Sequence, residues 1–134
     1  MGISMDRTDH VEQAEDFFRK ALEANRRLKQ FDAAAALNFA SFLKEQGRAE
    51  DARHILDEAT QRAPSYGPAH LERARLLRSE NEYEQAAEEA ELALKLEGCG
   101  PSDVRAAHVL LAMVYSVLGN KQAAEEHRRL AKSP

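Results

Sequence analysis

The residue types that do chemistry are present in this chain but not in the groupings that chemistry needs. Five histidines are spread along 134 residues, at 10, 54, 70, 108 and 127. A zinc site wants three or four ligands, typically in closely spaced pairs, and these histidines are not so arranged. The one cysteine, Cys99, sits in Gly98-Cys99-Gly100 and has no internal partner for a disulfide. A lone thiol suits a reducing compartment. Carboxylates occur in runs such as Glu88-Glu89 and Glu125-Glu126, which read as solvated helix faces. The sequence contains no Gly-rich phosphate loop, no Cys-x-x-Cys, no His-Glu-x-x-His and no Gly-x-Ser-x-Gly. No catalytic, cofactor-binding or metal-ligating residue is assigned, no cofactor is expected, and the chain reads as a non-enzyme.

The elements that carry these residues are helical. Ala, Leu, Glu, Gln, Lys and Arg dominate, all of them good helix formers. Hydrophobic residues make up 43% and charged residues 31%, with no Trp, so a core must be built largely from Ala and Leu. A net charge of −4 argues against a global attraction to nucleic acid and leaves room only for a local basic patch. No run of about 18 apolar residues exists, so membrane insertion is not expected. Residues 1–5 lack the basic cluster and apolar run of a secretory signal. They are expected to be disordered or vector-derived, and a cytoplasmic location is expected unless a longer parent chain carries a signal.

Self-similarity organises the rest. Phe39-Ala40-x-x-Leu43, Gly47, Ala52-x-x-x-Leu56-x-x-Ala59 and Pro64 form one run. Shifted by 34 residues, it becomes Arg73-Ala74-x-x-Leu77, Asn81, Ala86-x-x-x-Ala90-x-x-Ala93 and Gly98. A further shift of 38 gives Leu111-Ala112-x-x-Tyr115, Gly119 and Ala124-x-x-x-Arg128-x-x-Ala131. The four extra residues fit at Pro101-Ser102-Asp103-Val104.

A period of about 34 with two helices per unit resembles the tetratricopeptide-repeat (TPR) family, whose pattern is W-x2-L-G-x2-Y, then A-x3-F, then P. The family's Trp position holds Ala36, His70 and His108; its Gly position holds Ala40, Ala74 and Ala112; its Tyr position holds Leu43, Leu77 and Tyr115. The small positions match in all three units, whereas the large aromatic ones are degenerate, and Arg128 stands where a Phe is usual. The resemblance covers residues 33–134. It implies an all-α, right-handed α-solenoid of antiparallel helix pairs, with about seven helices near 6–29, 33–46, 49–62, 68–80, 83–96, 102–118 and 121–132. The expected organisation is a half-repeat over 6–32 and units over 33–66, 67–100 and 101–134. His70 and His108 then share a position that packs between helices, so a structural role outweighs a metal role. Gly47, Asn81 and Gly119 fall where each first helix ends and the chain reverses, a place that wants a left-handed residue.

The resemblance also implies where binding occurs. First helices line a concave face, and the family's groove-facing positions fall here on Leu37, Asn38, Ser41 and Lys44, then Leu71, Arg75 and Arg78, then Val109, Met113 and Ser116. Leu37, Leu71, Val109 and Met113 are expected to form an apolar strip, with Lys44, Arg75 and Arg78 as a cationic edge. Such a groove suits a peptide or partner protein with apolar anchors and an acidic group. The alternative is ordinary solvated surface, with Arg75 and Arg78 paired to Glu72 or Glu82. Chaperone-type TPR domains clamp a C-terminal carboxylate with Lys, Asn and Arg; Leu37, Ser41, Glu72, Ala106 and Leu110 stand at those positions, so that subtype is rejected. A second reading is self-association, including a homodimer, through the N-terminal helix. Val11, Phe17, Phe18 and Leu22 make its apolar face too broad for one neighbouring helix to cover.

Overall fold

A computed structural model describes residues 7–132, with side-chain surroundings from His10 onward. The segment 1–5 and the expected helix start at Asp6 lie outside the described residues. Within them the chain forms seven helices: α1 (Arg7–Arg26), α2 (Ala33–Glu45), α3 (Ala49–Arg62), α4 (Gly67–Ser79), α5 (Tyr83–Lys95), α6 (Pro101–Val117) and α7 (Lys121–Lys132). Each helix packs against the next. In addition α2 touches α4 and α4 touches α6, whereas among the described residues α3, α5 and α7 make no such backbone contacts with one another. First helices that touch in series, beside second helices that do not, make a curved stack with α2, α4 and α6 on its inner wall. This is the α-solenoid of antiparallel pairs that the repeat implied.

Small side chains make the close pairing possible. Ala40, Ala52, Ala59, Ala74, Ala86, Ala90 and Ala93 are all buried, several completely, and small residues at a seam let helix axes approach. Larger side chains fill the layers between. Leu43, Leu56 and Leu76 lie in one cluster spanning α1 to α4, and Leu77, Leu111 and Val114 lie in a second spanning α4 to α6.

The three reversals within pairs use one device. Gly47, Asn81 and Gly119 adopt φ of 76°, 64° and 83°. In each case the next residue's N–H reaches back to a carbonyl five residues earlier: Arg48 to Leu43 at 2.9 Å, Glu82 to Leu77 at 2.8 Å, Asn120 to Tyr115 at 2.9 Å. That pattern is the Schellman motif, which satisfies carbonyls left open at a helix end.

Between units the chain is pinned differently. Gly67 N–H donates to Glu97 O at 2.7 Å, and Glu97 N–H donates to Ser65 O at 3.3 Å, tying two inter-unit turns together. A Cβ on Gly67 would lie 2.8 Å from both Ala93 O and Cys99 Sγ, so no larger residue fits there. Helix α1 ends at Arg26, three residues short of the expected 29. The cause is Asn25, which is buried, donates to Asp32 O at 2.7 Å and accepts from Asp32 N–H at 2.6 Å. That pair of hydrogen bonds holds the chain in a turn, and Asp32 then caps α2 by accepting from Ala35 N–H.

Candidate peptide-binding groove

On the inner wall, α4 and α6 leave a cleft of about 420 Å³ between them, with Lys44 from α2 at its edge. Arg75 and Arg78 come from α4; Ser102, Arg105, Ala106, Val109, Leu110 and Met113 come from α6. A second depression of about 370 Å³ is lined by Ser41, Lys44, Glu45, Glu72 and Arg75. Lys44 and Arg75 belong to both, so the two form one continuous groove across α2, α4 and α6.

Val109 and Met113, one turn apart on α6, are 45% and 47% exposed and form the apolar part of the surface. Leu71 does not belong to it. It is 1% exposed and packs against Ala93 and Ala107 in a core cluster of its own. Leu37 is likewise buried, in the cluster that α1 to α4 share. The expected four-residue apolar strip is therefore corrected to Val109 and Met113. Contacts along α2–α4–α6 are close enough that leucines at the seam turn inward as core. Asn38, Ser41 and Ser116 are exposed but only Ser41 lines the groove.

Outside the groove several cations meet acids, Arg26 with Glu58, Arg53 with Glu80, and Arg73 with both Asp57 and Glu89. In the groove, Arg75 pairs with Glu72 as one alternative anticipated. Lys44, Arg78 and Arg105 have no carboxylate partner among the described residues, and Arg78 does not reach Glu82. Arg78 Nε is buried without any hydrogen-bond acceptor. Arg78 as a whole is half-buried and lines the cleft, so an arriving carboxylate would meet its exposed part rather than the enclosed Nε. The cleft thus offers N–H donors and positive charge beside exposed apolar carbon.

Ser102 and Arg105 are groove residues that the repeat columns missed. The signal was present in the spacing: Arg105, Val109 and Met113 fall at i, i+4 and i+8, on one face of α6.

The remaining chemistry-bearing residues serve packing. His70 is buried between Glu89, 2.7 Å from Nδ1, and Pro64 O, 2.9 Å from Nε2, so both ring nitrogens are used. His108 Nδ1 lies 2.9 Å from His127 Nδ1, and His127 Nε2 lies 3.1 Å from Glu91, linking α5, α6 and α7. Burial, and then the neighbouring His127, push the His108 pKa down. No cluster of three His, Cys, Asp or Glu suited to one metal ion occurs among the described residues. Burial, with a smaller contribution from Asp103, pushes the Cys99 thiol up, away from the thiolate.

The apolar face of α1 also divides. Phe18 stacks on Phe39 at 5.7 Å and meets the tilted ring of Phe42 at 5.1 Å, and Leu22 is buried in the first core cluster. Leu22 is sealed within the chain and is not a free association surface, which corrects that expectation for it, whereas Phe18 is half-buried against its two partners. Val11 is half-buried. Phe17 is 69% exposed, on an outer stripe with Ala21, Ala24 and Leu28.

The fold is that of a TPR-like helical repeat. Among solved structures, the chain is similar to MamA (TM-score 0.70, 20% identity, covering 96% of this chain and 74% of that one). It is also similar to BtubC from P. vanneervenii (TM-score 0.77, 24% identity, covering 92% and 56%) and to Pseudomonas aeruginosa PilF (TM-score 0.72, 17% identity, covering 93% and 54%). The chain spans little more than half the length of the last two. No family model and no curated protein sequence matches it.

Proposed function

We propose that this chain is a non-enzymatic scaffold whose concave groove binds a peptide or partner-protein segment carrying an acidic group beside apolar side chains. The observation that carries this reading is Arg78. It has no carboxylate partner among the described residues, and it lines an open cleft with Lys44 and Arg105, likewise unpaired among those residues, next to Val109 and Met113. Charge-assisted hydrogen bonds to a carboxylate would fit these donors, and Met and Val would receive an apolar anchor. The net charge of −4 disfavours nucleic acid as the occupant. No described helix is long and apolar enough to cross a membrane, and a cytoplasmic site of action is part of the proposal. A peptide array probed with the wild-type chain and with Arg75→Glu/Arg78→Glu tests it. Selection of acidic peptides with apolar anchors by the wild type alone supports the groove; equal binding by both chains, or binding by neither, overturns it.

A further inference from the structure

Seven large apolar side chains stand exposed among the described residues. Phe17 and Leu28 belong to α1, and Val109, Met113 and Val117 to the inner side of α6. Leu92 and Leu118, 39% and 38% exposed, flank a separate cleft of about 550 Å³ formed by α5 and the end of α6. Glu84, Glu88 and Glu91 line that cleft, with Lys95 as its one cation. Glu91 is engaged by His127. Glu84 and Glu88 are exposed and have no ion-pair partner among the described residues.

Two surfaces of one chain thus leave charges of opposite sign unpaired beside exposed apolar carbon. Their spacing corresponds. Glu84, Glu88 and Leu92 fall at i, i+4 and i+8 on α5; Arg105, Val109 and Met113 fall at i, i+4 and i+8 on α6. Laid parallel in that register, Glu84 meets Arg105 and Leu92 meets Met113, while Glu88 falls opposite Val109, in the cleft that Arg78 also lines. The inner wall of α2, α4 and α6 and the outer side of α5 face different ways, so one copy cannot join its own two surfaces.

We infer that the partner seated in the groove is a second copy of this chain, presenting the outer stripe of α5. This deepens the groove reading and rests on it. The contact is heterologous, with the groove of one copy taking the acidic cleft of the next, so repetition gives a ring or an open filament rather than a two-fold dimer.

Sedimentation of the purified chain over a concentration series, with two variants, tests the inference. Arg78→Glu/Arg105→Glu disables the groove and leaves the cleft; Glu84→Lys/Glu88→Lys disables the cleft and leaves the groove. The wild type is expected to associate with rising concentration, more weakly at high salt. Each variant alone is expected to weaken association roughly tenfold or more. Mixed in equal amounts, the two are expected to associate again, because each supplies the surface the other lacks. A wild type that stays monomeric, a mixture no better than its parts, or association untouched by both variants and abolished by Phe17→Ser would each overturn the inference. The cleft variant keeps the groove, so acidic-peptide binding by it would leave the groove reading standing when self-association fails. Loss of both would sink the two together.

Discussion

The contact between His108 and His127 makes the docking of α7 acid-labile. With Nδ1 atoms 2.9 Å apart, one nitrogen must donate and the other accept, so the contact holds a single proton. His127 Nε2 faces Glu91, and Tyr115 stacks on the His127 ring at 5.6 Å. Protonating both rings removes the hydrogen bond and sets two cations side by side. At 2.9 Å that repulsion is about 6 kcal/mol for an effective dielectric of about 20, and about 1.4 kcal/mol in water. Solvent reaches the pair and the rings can turn apart, so screening brings the expected loss down to about 1–2 kcal/mol. The His108 pKa is lowered in the folded chain from an ordinary 6.5. The unfolded chain therefore binds more protons than the folded one once the pH falls towards 6.5. Stability is complete above that value and falls as the pH drops through it towards the depressed folded value. Thermal unfolding at pH 7.5 and pH 5 measures this, with His108→Asn as the control, since Asn donates to His127 and does not titrate. The wild type should lose about 4–8 °C more than the variant on acidification. Equal losses in the two chains would refute the argument.

Three further outcomes are expected. Leu111→Ala and Leu71→Ala, both at fully buried sites, should each cost about 2–5 kcal/mol in urea unfolding, whereas Val117→Ala, at a side chain 60% exposed, should cost less than about 0.5 kcal/mol. Phe18→Ala should destabilise by about 2–4 kcal/mol through lost packing on Phe39 and Phe42, while Phe17→Ala leaves the melting temperature unchanged; equal effects would mean that α1 is docked the other way round. At the left-handed position of Asn81, Asn81→Gly should be tolerated and Asn81→Val should cost about 1–2 kcal/mol, read from the same unfolding curves.

Much of the fold was legible because helical packing leaves a periodic record. Alanine recurs where helices touch, and a residue tolerant of positive φ recurs where the chain reverses, so the 34-residue period, the helix pairs and the three Schellman turns follow from the sequence. The cationic edge of Lys44, Arg75 and Arg78 was legible in the same way, since a helix position shows on which wall a side chain stands. Depth was not legible. Leu71 and Val109 occupy comparable groove-facing positions, yet one is sealed beneath Ala93 and Ala107 and the other is open. The difference comes from how closely α4 is flanked on both sides, as against α6 at the end of the inner wall. Pairing was not legible either. Glu72 was near enough in sequence to neutralise Arg75 or to leave it free, and only the folded side chains set Arg75 on Glu72 while leaving Arg78 Nε without an acceptor. Sequence by itself determined the repeat, because its period is imposed locally by helix and turn chemistry. Tertiary structure alone decided which leucines became core and which cations stayed unpaired, because burial and charge pairing depend on neighbours contributed by other helices.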